Sequence, residues 1–391
     1  MPNFRNGFER FAQAVHQRNA QATGVILLAL IATLELGGCG GGSAIQPVPP
    51  PIPQFTTIDV SGAGGATPEG TFGIGLNSNG DVVGYFIDSN HLIHGFIRIS
   101  SGAITIVDAP GAGATQNLGT EVSGINSSGE AVGFFADPEG VLHSYIRSPG
   151  GTLTEFDPPN SIGSDGFCIN DGGVVAGGLL DVNGAHGFVR AADGTFSIID
   201  PTGNASQVRA VIPNQINASG AVAGNFFDAN TVNHGFFRDA NGMVTVFDAT
   251  GAGAASGEGT QAYDMNSSGV IVGGVTTGSV GGVATSHSYT RNTDGTFVVF
   301  DPPEAGPDGS LADGINDSGT ILGNYIDANL VRHGYLRKTD GTFVTFDDPS
   351  AAQLPVSFTN LDTAPRRINA SGVVAGLFSD AAGTRHGFLR E

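Results

Sequence analysis

The stretch GINSSGEAVGFFADPEGVLHSYIRSPGGTLTEFD, residues 124–157, decides the fold. It opens on Ile-Asn-x-x-Gly and continues through Val-x-Gly. It then reaches a histidine with an aromatic two places on, and it ends on Phe-Asp. The same phrase recurs seven times, with turn asparagines at Asn77, Asn126, Asn170, Asn217, Asn266, Asn316 and Asn369. Their spacings are 49, 44, 47, 49, 50 and 53 residues. A fixed period of this size marks a repeat architecture.

Each unit reads as four strands. In the quoted one, the first leads into Gly124-Ile125-Asn126, and the second is Ala131 to Ala136. The third is His143 to Arg147 and the fourth Leu153 to Asp157. Asn-x-x-Gly suits a type I turn. Asp193-Gly194, Asn241-Gly242, Asp294-Gly295 and Asp340-Gly341 are hairpin signals between the third and fourth strands. Runs such as Val82 to Ile87 are apolar without alternation, so both sheet faces should be buried. Phe96, Tyr145, Phe188, Phe236, Tyr289, Tyr335 and Phe388 share one repeated position and should fill the gaps between units.

The chain ends on the third strand of its last unit, His386 to Glu391. The repeat region opens on a lone fourth strand, Phe55 to Asp59. The expectation is an all-β, seven-bladed β-propeller of four-stranded antiparallel blades. The N-terminal strand would complete the last blade and close the ring, removing free edges. A parallel β-helix is the rival, but its coils are shorter and need no such exchange of ends.

Composition narrows the function. Charged residues are 13% of 391, Gly is 62, Phe 25 and Trp absent. The formal charge is −20 and Lys338 is the one lysine, so no nucleic acid is expected as partner. Arg5, Arg10 and Arg18 precede an 11-residue apolar core, Gly24 to Leu34, too short to span a bilayer. This reads as an export signal over 1–38. Residues 39–54 form a Gly/Pro-rich spacer, and 55–391 the repeat body. Without 1–38, Lys+Arg falls from 16 to 13 and Asp+Glu from 36 to 34, a charge of −21.

Leu36-Gly37-Gly38-Cys39 resembles the lipobox of bacterial lipoproteins. That resemblance implies cleavage before Cys39 and lipid on its sulfur, hence a membrane partner. Gly40 in place of Asp implies the outer membrane of a Gram-negative cell. An ordinary secretory signal is the alternative, with a periplasmic or extracellular protein; both export the chain. Cys168 is then the second and last cysteine, read as a buried small hydrophobe.

The repeated phrase, with His-Gly-Phe at His94, His186, His234 and His386, resembles the HAF family of extracellular repeat proteins over residues 55–391. It drifts to His-Ser-Tyr at His143 and His287 and His-Gly-Tyr at His333. The family implies export and repeats, with no established activity and no defined catalytic residues.

Residues recurring in every unit answer a need of every unit, so the seven histidines are read as structural. In most units the histidine should bond an aspartate at the end of the fourth strand, as in His94–Asp108, and likewise Asp200 in the His186 unit. The arginines ending the third strands, Arg98 to Arg390, should serve turn carbonyls or carboxylates. A unique site should appear as a departure from the repeat. Departures are expected in the seven connections between units, whose charged residues are Glu69, Glu121, Asp165, Arg209, Glu258, Asp308, Asp313, Asp362 and Arg366. The longest connection adds Phe358 and Arg367. In the fifth unit, 276–286 replaces the usual Asp-bearing turn.

No cofactor and no metal site is expected, with calcium at the Asn/Asp turns left open. A per-unit metal on the histidines is the minor alternative. The expected function is that of a monomeric, non-enzymatic binding module with a polysaccharide or envelope protein as partner. The alternative is an exported hydrolase or lyase working through carboxylates near the axis.

Overall fold

The computed structural model describes residues 53–65, 69–280, 283–356 and 361–391. The expected signal over 1–38, Cys39, most of the expected 39–54 spacer and Phe358 lie outside these residues. The described chain is all-β, with one short 3₁₀ turn at Ala205–Gln207.

Antiparallel pairing gathers the strands into sets of four. In the first, Gly70–Leu76 pairs with Val82–Ile87, which pairs with Ile93–Arg98, which pairs with Ile104–Val107. The following inner strands are Gly119–Ile125, Gly163–Ile169, Val208–Ile216, Gly259–Met265, Ser310–Ile315 and Thr363–Ile368. The set beginning at Thr363 takes its fourth strand from the start of the chain: Phe55–Ile58 pairs with Arg385–Arg390, Phe55 opposite Arg390 and Ile58 opposite Gly387. Gln54 and Glu391 exchange backbone hydrogen bonds at 3.1 and 2.9 Å, extending that ladder by one residue.

The core lies between consecutive units, not within them. One cluster joins Val83 and Ile97 of the first unit to Val122, Phe135 and Tyr145 of the second. Another joins Leu322 and Phe346 to Ile368, Val374 and Phe388. The seven repeated aromatics are all fully buried. Four of the seven arginines that end third strands add a staple that the sequence did not suggest. Arg190, Arg291, Arg337 and Arg390 lie over Phe156, Phe247, Phe300 and Phe346 of the preceding unit, at 4.9, 4.8, 4.5 and 4.7 Å. The expected carbonyl bonds exist too, as from Arg147 to Ser148 at 3.3 Å and from Arg238 to Asp239 at 3.2 Å.

The turn asparagines do two jobs. The Asn126 side-chain oxygen accepts from the Ser128 and Glu130 amides and so fixes its own turn. Its amide nitrogen donates to the Asn170 carbonyl of the next unit at 3.2 Å. The same link runs from Asn77 to Asn126, Asn170 to Asn217 and Asn316 to Asn369. From Asn369 it runs back to Asn77, at 3.2 Å.

In the fifth unit the middle strands are longer, Ile271–Val280 and Val283–Arg291. Residues 276–280 and 283–286 of the unusual stretch thus extend the hairpin, with Val280 opposite Val283.

Asn126 is buried, and truncation would leave the Ser128 and Glu130 turn amides without their acceptor and remove the link to the next unit. Asn126→Ala should therefore cost about 1–3 kcal/mol of stability, read by calorimetric melting against the unsubstituted chain.

Candidate functional site

Every inner strand carries an extra residue that its partner cannot pair, and Val208–Ile216 carries a second at Arg209. In the first unit Gly73 faces Gly84 and Gly75 faces Val83, which leaves Ile74 between them. The same bulge sets Ser123, Phe167, Asn214, Tyr263, Asp313 and Arg366 outside the strand register in the other units. Bulges re-aim side chains. All seven of these line one cavity of about 170 Å³, with Phe72, Tyr85, Glu121, Phe134, Ile212, Arg367 and Leu377.

The repeated Val-x-Gly glycine makes the bulge fit. A Cβ on Gly84 would overlap the Phe72 carbonyl, and one on Gly273 the Gln261 carbonyl. The second strand can approach the bulged inner strand this closely only without a side chain.

The wall of the cavity is part aromatic and part charged. Phe72 stacks on Tyr85 at 4.6 Å and 11°. Arg367 reaches the Tyr263 and Asn214 carbonyls at 3.5 and 3.4 Å, tying together strands 104 and 153 residues away. Asn214 also donates to the Ala262 carbonyl at 2.8 Å. Burial, helped by the neighbouring Asp165 charge, pushes Glu121 up to about 8, so its carboxyl is mostly protonated at neutral pH. Asp313 is buried and accepts from the Asn324 amide at 2.5 Å.

The structure brings together only some of the expected site residues. Glu121, Asp313 and Arg366 line the cavity; Asp362 is buried outside that lining and accepts from the Leu354 amide at 3.2 Å. Asp165 and Arg209 line a second, smaller cavity of about 110 Å³, and burial pushes Asp165 up to about 7. Glu69 faces His91 at 3.3 Å, and Glu258 accepts from the Ala255 amide at 2.9 Å. Asp308 is half-buried in its connection, and that burial raises its pKa. The expectation that these residues sit in connecting loops needs correction. Glu121, Asp165, Arg209, Asp313 and Arg366 lie within inner strands, because the strands start earlier than the repeat suggests. Phe72, Tyr85, Phe134, Phe167, Asn214 and Tyr263 were missed.

The histidine rim is a separate feature. The Nδ1 atoms of His94, His143, His234, His287, His333 and His386 lie 2.6–3.0 Å from Asp108, Asp157, Asp248, Asp301, Asp347 and Asp59. Five of the rings also stack on the second strand, as His94 does on Phe86 at 4.8 Å. The Asp200 partner expected for His186 fails. Asp200 instead accepts from the Thr202 and Gly203 amides, and the nearest carboxylate to His186 is Asp181 at 3.5 Å. In the second unit, Glu155 stands where the others have Ile106, Ile198, Val246, Val299, Thr345 and Thr57. His143, Glu155 and Asp157 thereby place ligand atoms within 4.8 Å of one another, close enough to share one cation.

No protein-family model and no curated protein matches the chain. Among solved structures it is similar to virginiamycin B lyase from Staphylococcus aureus, with a TM-score of 0.53 and 15% identity over 86% of this chain and 100% of that one. A puromycin hydrolase gives 0.49 and 12% over 82% and 53%. The Aleuria aurantia lectin gives 0.33 and 12% over 77% and 98%. At such identity the likeness to the lyase shows the fold alone, and that fold is propeller-like. The structural neighbours are β-propeller proteins, some of them enzymes and some binding proteins.

The bond to Asp59 raises the pKa of His386, and the bond to Asp347 raises that of His333, each outweighing burial. A raised native pKa stabilises fully below the unfolded value of about 6.5. That stabilisation is lost as pH rises through the native value. Buried Glu121 and Asp165 act with the same sign from lower pH. Melting temperature should therefore fall from pH 6 to 8, and His386→Gln should melt lower at pH 6 and fall less steeply. Parallel profiles for the two chains would refute this.

Proposed function

We propose that the chain is an exported, lipid-anchored, seven-bladed propeller that binds one small polar ligand, a sugar unit of a polysaccharide, in its central cavity. The observation that carries this is the bulge position. Across units that otherwise repeat, it presents Ile74, Ser123, Phe167, Asn214, Tyr263, Asp313 and Arg366, seven different side chains turned into one space. A repeated need would repeat the residue; seven unlike groups make an asymmetric surface complementary to one ligand. A cavity of aromatic wall with a few placed polar groups is how small-molecule sites are built. A sugar ring matches it, with apolar C–H faces for the rings and hydroxyls for Glu121, Asn214 and Asp313.

Ring closure is supported by the pairing of Phe55–Ile58 with Arg385–Arg390 and by the bond from Asn369 to Asn77. Export rests on the basic and apolar leader, the lipobox-like Leu36 to Cys39 and the resemblance to extracellular HAF repeats. The Pro-rich spacer would hold the body away from the membrane. If Cys39 carries the anchor, Cys39→Ser should move the chain from the membrane to the soluble fraction. Unchanged partitioning would count against the anchor.

The second reading is a hydrolase or lyase on the same ligand. Its support is Glu121, a buried carboxyl held up to about 8 and so able to give a proton near neutral pH. Product release that Glu121→Gln abolishes would favour it over simple binding.

The binding test titrates the whole chain with neutral gluco-, xylo- and galacto-oligosaccharides. A ligand of the native state adds about 2.7 kcal/mol at a hundredfold excess over its dissociation constant. Phe167 and Tyr263 belong to none of the core clusters, so Phe167→Ala and Tyr263→Ala should keep the unliganded melting temperature while weakening binding at least tenfold. No response to any sugar, or full binding by both variants, would sink the proposal.

A further inference from the structure

Sixteen lysines and arginines serve the whole chain. Three lie in the leader, seven end the third strands, and Lys338 adjoins one of these. Five remain: Arg209, Arg332, Arg366, Arg367 and Arg385. Four of the five gather at one side of the central cavity, in a protein of net charge −20.

Their placement is specific. Arg366 and Arg367 line the cavity from the Thr363–Ile368 strand. Arg367 is engaged with the carbonyls of Tyr263 and Asn214 on the far wall. Arg332 and Arg385 begin the third strands of the sixth and seventh units, on either side of the Arg366 strand. The same position holds Ile93, Leu142, Ala185, Asn233 and Ser286 elsewhere, none of them charged. The Arg385 guanidinium lies 5.3 Å from the centre of the Phe72 ring, which lines the cavity against Tyr85. Arg332 donates toward the Leu361 carbonyl at 3.4 Å.

Like charges crowded and desolvated in this way cost stability. Burial and the Arg366 charge hold Arg332 down to about 10, and burial lowers Arg385 with Arg366 adding to it. The Asp313 and Asp362 charges act on Arg332, and Arg367 stands beside Asp264. Glu121, held mostly neutral, adds little negative charge. Four guanidiniums thus stand together at one side of the cavity.

We infer that Arg366, flanked by Arg332 and Arg385, forms an anion subsite in the central cavity, and that the sugar bound there is acidic, carrying a carboxylate. A guanidinium matches a planar carboxylate with two parallel hydrogen bonds. This rests on the binding reading above and narrows its ligand to uronate-containing polysaccharides.

The test compares trigalacturonate, its methyl ester and neutral galactotriose by titration calorimetry on the whole chain. The acid should bind at least tenfold tighter than the ester and weaken as salt is raised. Arg366→Gln should bring acid and ester to within twofold, Arg366→Lys should keep part of the preference, and Lys338→Gln should change nothing. A melting scan on each variant separates lost charge from lost fold. Equal binding of acid and ester, or a preference that survives Arg366→Gln, overturns the subsite. If galactotriose still binds and Phe167→Ala removes it, the cavity reading stands without the anion. If none of the sugars binds, both readings fall.

Discussion

A four-stranded sheet of about fifty residues cannot bury both of its faces, and in this protein both faces are apolar. Each unit is therefore stable only between two others. The clusters around Tyr145, Phe188 and Phe388 each draw residues from neighbouring units, so the hydrophobic term acts at the joints. The Arg-over-Phe contacts and the asparagine links repeat the same logic with cations and hydrogen bonds. A linear stack would leave two apolar faces and two strand edges open. Here the last set of strands takes its outer member from the beginning of the chain, and Asn369 bonds back to Asn77.

The central cavity follows from the same arrangement. Inner strands that meet side by side around a centre leave space there, and its lining is freed from the packing that fixes every other position. The bulge turns one residue per unit into that space, and the opposing glycine lets the second strand follow. Stability is set at the joints, where the sequence repeats. Recognition is set at the centre, where it need not repeat. This separation explains how units so alike can build one asymmetric site.

The repeat made most of the architecture legible. Turn asparagines, hairpin dipeptides and the Phe55–Ile58 fragment pointed to four-stranded units and to the exchange of ends. The histidine–aspartate bonds followed from strand register, with His186 as the exception because Asp200 turns to cap its own loop. The site was less legible. Its residues were sought in the connections, where length varies. The informative column lay inside the inner strand, three residues before each turn asparagine. It was hidden because a bulge breaks the period-two pattern that marks which side of a strand faces where.

The amino-acid sequence determined the period, the strand pattern and the aromatic positions between units, because these rest on local propensity and recurrence. The tertiary structure alone decided that Arg332, Arg366, Arg367 and Arg385 converge, and that Glu121 is held mostly uncharged. Both depend on distances between residues far apart in the chain and on exclusion of water. Period and propensity carry no record of either.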